Sequence, residues 1–368
     1  MTMRAYLDWN ATAPLRPEAR AAMTEALALT GNPSSVHGEG RAARALVEDA
    51  REAVANLIGA GPNQIVFTSG GSEGNALALT GSDRRVLASA IEHDAVLAHA
   101  GAERIKVTCE GVVDLDDLEA KLAGDKTPAL VSVMLANNET GVIQPLADVI
   151  RIARAHGALV HTDAAQAAGR IPVDFLGLDT DLMSVSAHKL GGPQGVGALV
   201  IGERASVSPI VRGGGQERGR RAGTENVAGI AGFGAAATAA TVTDWRTVTQ
   251  LRGDLEQRAV GLGAEIFADQ ARRLPNTTNL RLPGIAAETL VIALDLEGVA
   301  VSAGAACSSG KVRPSPVLKA MGVADEVAKE AIRASLGWAT TAEEIDLFIA
   351  ALGRIRDRIG QRDLRAAA

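Results

Sequence analysis

Short apolar runs that alternate with amphipathic segments dominate the first two thirds of the chain. Hydrophobic runs predict strands at 65–68, 85–89, 104–108, 129–135, 158–162, 181–185 and 198–201. Between such runs, the segment 41–58 repeats apolar residues every four positions, which is the spacing of one helix face. Continuous apolar strands separated by helices are typical of a parallel sheet that is covered on both faces. We therefore predict an α/β fold with a mainly parallel sheet.

The pattern changes beyond about residue 262. Shorter strands are predicted at 279–282, 299–302 and 331–335, with helices at 288–294, 316–321 and 341–358. This mixture of short strands and helices indicates a smaller α+β unit. A chain of 368 residues is long enough for two domains. We predict a large domain at 15–262 and a small domain formed by 1–14 and 263–368.

Composition narrows the classes of function. An aromatic content of 2% and a net charge of −6 argue against a nucleic-acid-binding surface. The chain has no uninterrupted apolar run of about eighteen residues, so we expect no membrane span. The amino-terminal residues lack an apolar signal core, and we expect a cytoplasmic protein. Cys109 and Cys307 are then expected to be free thiols.

The segment 184–201 carries the first candidate chemistry. A polar turn that ends in His188 and Lys189 follows one predicted strand and precedes a glycine-rich bend. A lysine in a partly dry pocket has a lowered pKa, and its amine can form a Schiff base with a carbonyl group. From the local pattern alone, a surface lysine in a hairpin loop is the simpler interpretation.

Polar groups also follow other predicted strands. Gly71 and Ser72 begin a helix after the strand at 65–68, where backbone N–H groups and a hydroxyl can bind phosphate. Asp163 ends the strand at 158–162, where a carboxylate can hold the proton of a pyridinium nitrogen. Taken singly, each residue has an ordinary alternative as a helix or turn cap.

Two further strand ends carry His93 and Asn138. A histidine can stack on a flat ring and transfer protons, although a lone histidine is more often an ordinary polar residue. An asparagine in such a position usually serves its own turn. Because the carboxyl ends of parallel strands meet at one edge, these groups and Lys189 should converge. Together they predict a site for pyridoxal phosphate.

Two residues of the smaller unit add candidates. Cys307 lies among small residues in Gly-Ala-Ala-Cys-Ser-Ser-Gly, which favours an accessible thiol that can act as a nucleophile. Arg333 lies in an apolar predicted strand, and a buried arginine needs a carboxylate. That carboxylate belongs either to the protein or to a substrate.

The motifs, taken together, resemble those of group I cysteine desulfurases of the NifS/IscS type. The resemblance extends from Tyr6 to about Ile355 and rests on the motifs SAHKLGGPQGVGAL, HTDAAQAAG, ANNETGVIQP, GGGQERGRRAGTENV, GNPSSVHG, IEHDAV and ACSSG. These enzymes belong to the class V aminotransferases of fold-type I. The resemblance implies a seven-stranded type of sheet and a homodimer. Trp338 is a departure, since the family usually has arginine there.

The same resemblance implies roles for individual residues. Lys189 would hold pyridoxal phosphate as a Schiff base, Asp163 would pair with the ring nitrogen, and Gln166 would contact the ring hydroxyl. His93 would stack on the ring with Asn138 beside it. The phosphate would be bound by Gly71, Ser72, Ser186, His188 and, from the partner subunit, Thr224.

The substrate side of the resemblance concerns three residues. Arg333 and Asn32 would hold the carboxylate of L-cysteine. Cys307 would attack the substrate sulfur, giving L-alanine and a persulfide that passes to a sulfur-acceptor or iron–sulfur scaffold protein. No resident metal is implied, although Cys307 could transiently ligate an iron–sulfur cluster. The alternatives are a selenocysteine lyase, another class V aminotransferase, or a partner protein that lacks catalysis.

Overall fold

The chain alternates short strands with helices throughout. The computed structural model describes residues 4–99, 101–303 and 314–367. The strands are β1 (Ala5–Tyr6), β2 (Ile65–Thr68), β3 (Arg85–Ser89), β4 (Glu103–Ile105), β5 (Ala129–Ser132), β6 (Leu159–Asp163), β7 (Leu182–Ser186), β8 (Gly197–Ile201), β9 (Glu265–Ile266), β10 (Thr277–Arg281), β11 (Val299–Ala300), β12 (Ser302–Ala303) and β13 (Ala331–Ser335). The helices are α1 (Pro17–Leu27), α2 (Gly38–Ile58), α3 (Gly71–Gly81), α4 (Asp94–Leu97), α5 (Leu115–Gly124), α6 (Leu146–Ala155), α7 (Phe175–Leu178), α8 (Val227–Thr241), α9 (Arg246–Gly261), α10 (Ala287–Leu296), α11 (Pro316–Ala320), α12 (Asp325–Ala328) and α13 (Ala342–Ala367).

The larger sheet has seven strands in the order β2-β8-β7-β6-β5-β3-β4. Only β8 runs against its two neighbours, and the other pairs in this sheet are parallel. The carboxyl ends of β2, β3, β5, β6 and β7 therefore lie on one edge. This arrangement confirms the predicted α/β class and the mainly parallel sheet.

Helices cover both faces of this sheet. On one face, α1, α2 and α8 pack over buried residues that include Val54, Phe67 and Phe233. On the other face, α3 packs Leu77 and Leu79 against the sheet. The small residues of α8 allow its backbone to approach α2 closely. A Cβ at Gly234 would lie 2.6 Å from the Cα of Ala50.

A smaller antiparallel sheet, with strand order β12-β13-β10-β9, lies on a second apolar core. Helices α9, α10 and α13 contribute buried residues to this core. The division between domains after residue 262 stays a prediction. Helix α9, which ends just before this predicted boundary, contributes buried residues to the second core.

The amino-terminal segment joins the smaller sheet to the edge of the larger one. Asp8 forms a parallel bridge with Ser335 of β13, and the backbone N–H of Asn10 donates to the hydroxyl of Ser335 at 2.9 Å. The Asn10 side chain also donates to the hydroxyl of Thr277 on β10 at 2.9 Å. These bonds fix the carbonyl groups of residues 10 and 11 beside the sheet edge.

Among the helices in residues 4–99, 101–303 and 314–367, none is long and apolar enough to cross a membrane. Within the same ranges, no group of three or more His, Cys, Asp and Glu residues is placed to hold a metal ion.

Candidate active site

A cavity of about 310 Å³ opens at the carboxyl edge of the larger sheet. The five polar groups that the sequence places after successive strands all line it: Ser72, His93, Asn138, Asp163 and Lys189. Gly71, Gln166, Ser186, His188 and Arg333 line it as well. The sheet topology therefore brings together residues that are far apart in sequence.

Lys189 lies on the turn that follows β7. Its Nζ donates to the carbonyl oxygen of Asn10 at 2.6 Å and to that of Ala11 at 2.9 Å. Burial lowers the pKa of the Lys189 amine to about 7, and the positive charges of Arg170 and Arg333 act in the same direction. The negative charges of Asp163 and Asp8 oppose this shift. A large fraction of this amine is therefore neutral at pH 7.

Arg16 and Trp338 hold the turn that carries Lys189. The Arg16 Nε donates to the carbonyl oxygen of Leu190 at 2.9 Å, and its guanidinium carbon lies 3.7 Å from the Trp338 ring centre. Gly191 has a φ of 83°, and a Cβ there would collide with Arg16 and Trp338. The turn consequently requires glycine at this position. Trp338, at the position where the family usually has arginine, packs its ring against Arg16 and so helps to hold this turn.

Asp163 is nearly buried, with 8% exposure, at the end of β6. Its Oδ2 accepts a hydrogen bond from the Asn75 side chain at 2.7 Å, and its Oδ1 accepts from the backbone N–H of Ala165 at 2.9 Å. Carboxylate oxygens can each accept a further hydrogen bond. Asn75 was missed by the sequence analysis, although a polar residue within an apolar helix is the signal that could have revealed it.

A neutral histidine lies beneath Asp163. The ring nitrogens of His161 bond to the hydroxyl of Ser132 at 2.9 Å and to that of Ser184 at 3.0 Å. Burial lowers the pKa of His161 to about 4, although the charge of Asp163 opposes the shift. His161 therefore places no positive charge next to the carboxylate at neutral pH.

The opening of the cavity towards α3 has the character of an anion site. Gly71 and Ser72 lie at the start of this helix, where unpaired backbone N–H groups attract negative charge. Ser186 and His188 face the same opening, which continues into a second cavity of about 490 Å³. Burial and the nearby charges of Lys189 and Arg170 lower the pKa of His188 to about 4.

His93 is exposed and caps the short helix α4. Its Nδ1 accepts a hydrogen bond from the backbone N–H of Ala95 at 3.1 Å. His93 therefore has the ordinary role of a helix cap, and it also lines the cavity. Since Nδ1 is an acceptor, the proton of the neutral ring resides on Nε2.

For Arg333, the structure shows the first of the two alternatives that the sequence left open, a carboxylate within the protein. Its Nη2 lies 2.7 Å from the Asp8 carboxylate, and its Nη1 donates to the carbonyl oxygen of Asn138 at 3.1 Å. The guanidinium also lines the cavity, and its buried Nε has no protein partner among the described residues. The structural ion pair therefore leaves a donor group available.

Cys307 lies outside the described residues. The last described residues before Cys307 form β12, in which Ser302 pairs with Arg333 of β13. After it, the Ser315 hydroxyl donates to the Glu139 carboxylate at 2.5 Å, and burial raises the pKa of Glu139 to about 7. Both flanks of the undescribed segment thus reach residues at or next to the cavity wall.

Thr224 and Asn32 are not brought to this cavity by the chain itself. Thr224 is exposed and lines a separate cavity of about 200 Å³ together with Ser69 and Gly195. Asn32 is exposed, and its side-chain oxygen accepts from the backbone N–H of Ser34 at 2.9 Å. Their predicted roles stay predictions.

Comparison with known proteins gives concordant matches over nearly the whole chain. Residues 5–348 match the family described as aminotransferase class-V. The chain is 45% identical to a cysteine desulfurase of Cereibacter sphaeroides, with 97% of this chain and 96% of the relative covered. It is 41% identical to cysteine desulfurase IscS of Dictyoglomus turgidum, with 98% and 96% covered. A NifS-like protein from Rickettsia africae superposes with a TM-score of 0.91 at 36% identity, with 96% of this chain and all of that chain covered.

The lowered pKa of Lys189 predicts unusual reactivity in the cofactor-free protein. An ordinary lysine has a pKa of about 10.4, whereas this amine loses its proton as the pH rises through about 7. The rate of Lys189 labelling by trinitrobenzenesulfonate, followed by peptide mass spectrometry from pH 5 to pH 10, should have its midpoint near 7. Lys189→Met gives the background. A midpoint near 10 would contradict the proposed desolvation.

Proposed function

We infer that this chain, which belongs to the aminotransferase class-V family, is a pyridoxal phosphate-dependent cysteine desulfurase, and we propose which residues act. The observation that carries the assignment of roles is that the Lys189 amine is held by two carbonyl oxygens in the same cavity as the Asp163 carboxylate, where burial lowers its pKa to about 7. The reaction converts L-cysteine into L-alanine, and the sulfur becomes a persulfide on Cys307.

The described residues fit pyridoxal phosphate by their chemistry. A neutral Lys189 amine can attack an aldehyde carbon, and Asp163 has lone pairs left for a protonated ring nitrogen. The helix start at Gly71 and the hydroxyl groups of Ser72 and Ser186 form a donor set for a dianionic phosphate. When bound, the cofactor supplies an electron sink for the bond pair left at the substrate Cα.

The chain's own residues bind the substrate and move its proton. Arg333 binds the carboxylate of L-cysteine through the donors that its pairing with Asp8 leaves open. Lys189, once its amine is free, takes the Cα proton, because an amine with a pKa near 7 is an effective base at neutral pH. His93 lines the same cavity, and its Nε2–H is a hydrogen-bond donor for a group bound there.

The sulfur-transfer step is assigned to Cys307. Its thiolate attacks the substrate sulfur, so that an S–S bond forms as the C–S bond breaks. The electron pair of the C–S bond stays with the carbon skeleton, which takes up a proton. L-cysteine and the Cys307 thiol therefore give L-alanine and the Cys307 persulfide, with no external oxidant.

The assembly and location of the enzyme belong to the same proposal. We propose a cytoplasmic enzyme that forms a homodimer, and the second subunit accounts for Thr224 and Asn32, which the chain does not bring to its own cavity. Leu27, at 72% exposure, and Val36, at 87%, are apolar surface that a second copy could cover. The persulfide then serves a sulfur-acceptor or iron–sulfur scaffold protein.

The assignment of Cys307 predicts a selective loss of sulfur transfer. Cys307→Ser should lower sulfide release from L-cysteine with dithiothreitol to below about 1% of the wild-type rate, while cofactor binding is retained. Cys109→Ser is the matched control, because Cys109 is an exposed free thiol. We expect this control to stay within about twofold of wild type. Unchanged sulfide and alanine production by Cys307→Ser would remove this residue from the reaction.

Substrate binding by Arg333 predicts an effect on KM that breaking its ion pair does not reproduce. Arg333→Gln should raise the KM for L-cysteine at least about tenfold, because the carboxylate of the bound substrate loses the cation that pairs with it. Asp8→Asn removes the same ion pair but keeps the guanidinium, and we expect a smaller change. Steady-state kinetics of both variants distinguish substrate binding by Arg333 from a purely structural role. Equal effects on KM would instead assign Arg333 a structural role.

A further inference from the structure

Arg170 is a buried cation whose side chain contacts oxygen atoms other than those of acidic residues. It is 5% exposed and lies in the turn after β6. Its guanidinium donates to the backbone carbonyl of Gln166 at 3.1 Å and, at 3.5 Å, to those of Trp9 and Lys189. Within the described part of the chain it forms no ion pair with a carboxylate. A buried arginine usually has such a partner, so its charge calls for another explanation.

The remaining contact of Arg170 is with the side-chain oxygen of Gln166. The Arg170 Nη1 donates to Gln166 Oε1, and the amide nitrogen of Gln166 donates to the carbonyl oxygen of Asn10 at 3.0 Å. A guanidinium can only donate and a backbone carbonyl can only accept. A flipped amide would set two donors against each other and two acceptors against each other. The two partners therefore fix one orientation of the Gln166 amide.

This orientation matters because Gln166 lines the cavity with Asp163 and Lys189. With Oε1 committed to Arg170, the group that Gln166 has left for a ligand is the second N–H of its amide nitrogen. An N–H donor complements a ligand oxygen that carries negative charge, whereas an amide carbonyl would repel it.

We propose that Arg170 is a positioning residue that sets the polarity of Gln166, so that the amide offers an N–H donor to the ring oxygen of pyridoxal phosphate. The inference rests on the proposed function, because the acceptor oxygen belongs to that cofactor. Burial lowers the pKa of Arg170 to about 9, which leaves the guanidinium protonated at neutral pH. The donor that holds the amide is thus permanent under working conditions.

A double-mutant cycle on the full chain tests this coupling. The variants are Arg170→Met, Gln166→Ala and the double variant, and the readout is the Kd of pyridoxal phosphate for the cofactor-free protein. Arg170→Met should weaken cofactor binding about fivefold to tenfold when Gln166 is present. In the Gln166→Ala background, the same substitution should change the Kd less than about twofold, provided that the Kd is measured at a pH well above 7, where the effect of the Arg170 charge on the protonation of Lys189 no longer contributes.

Two conservative variants separate orientation from packing. Arg170→Lys keeps a charged donor and should recover most of the lost affinity. Gln166→Glu satisfies Arg170 with a carboxylate but offers only acceptors to the ring oxygen, so its Kd should exceed that of Gln166→Ala. If the Gln166 amide does not donate to the ring oxygen, Gln166→Glu should bind the cofactor as wild type does. Circular dichroism and Tm report folding, and these two variants decide the matter if Arg170→Met does not fold.

The outcomes distinguish the inference from the function on which it rests. Equal effects of Arg170→Met in both backgrounds, or wild-type affinity in Gln166→Glu, would overturn the role of Arg170 while the desulfurase assignment stands. A wild-type protein that binds no pyridoxal phosphate and releases no alanine from L-cysteine would overturn the proposed function itself, and this inference with it.

Discussion

The site depends on one amine that is held out of water by carbonyl oxygens. Lys189 donates to the backbone of Asn10 and Ala11, and burial outweighs the nearby carboxylates in setting its pKa to about 7. This environment exists only because the amino-terminal segment is fixed by Ser335 and Thr277 of the smaller sheet. The two sheets therefore meet at the residue to which we assign the chemistry, and the smaller sheet helps to set the pKa of a lysine on the larger one.

A second constraint is the direction of the strands. Because most of the larger sheet is parallel, polar residues that follow separate strands meet at one edge, and each can be fixed by its own local bonds. Asp163 is held by Asn75 and Ala165, while Gln166 is held between Arg170 and Asn10. A preorganised site of this kind loses little free energy to reorientation when a ligand binds.

Much of this arrangement could be predicted from the sequence, because strand ends and helix starts are local signals. The convergence of Ser72, His93 and Asp163 follows from the parallel direction of the strands that precede them. The carbonyl groups that hold Lys189 could not be predicted, since they lie 179 and 178 positions away and backbone atoms leave no residue signature. Helix α9 was also missed, because its apolar residues are few and pack on a core that forms only in the tertiary structure. Arg170 was missed because nothing in the local pattern shows that its charge is buried.

We propose above all that the Lys189 amine carries the cofactor. The most direct measurement loads the protein with pyridoxal phosphate, reduces it with borohydride and maps the modified peptide by mass spectrometry. We expect one phosphopyridoxyl group per chain, on Lys189, and none at that position in Lys189→Met. Stoichiometric modification of a different lysine, or none after loading, would contradict it.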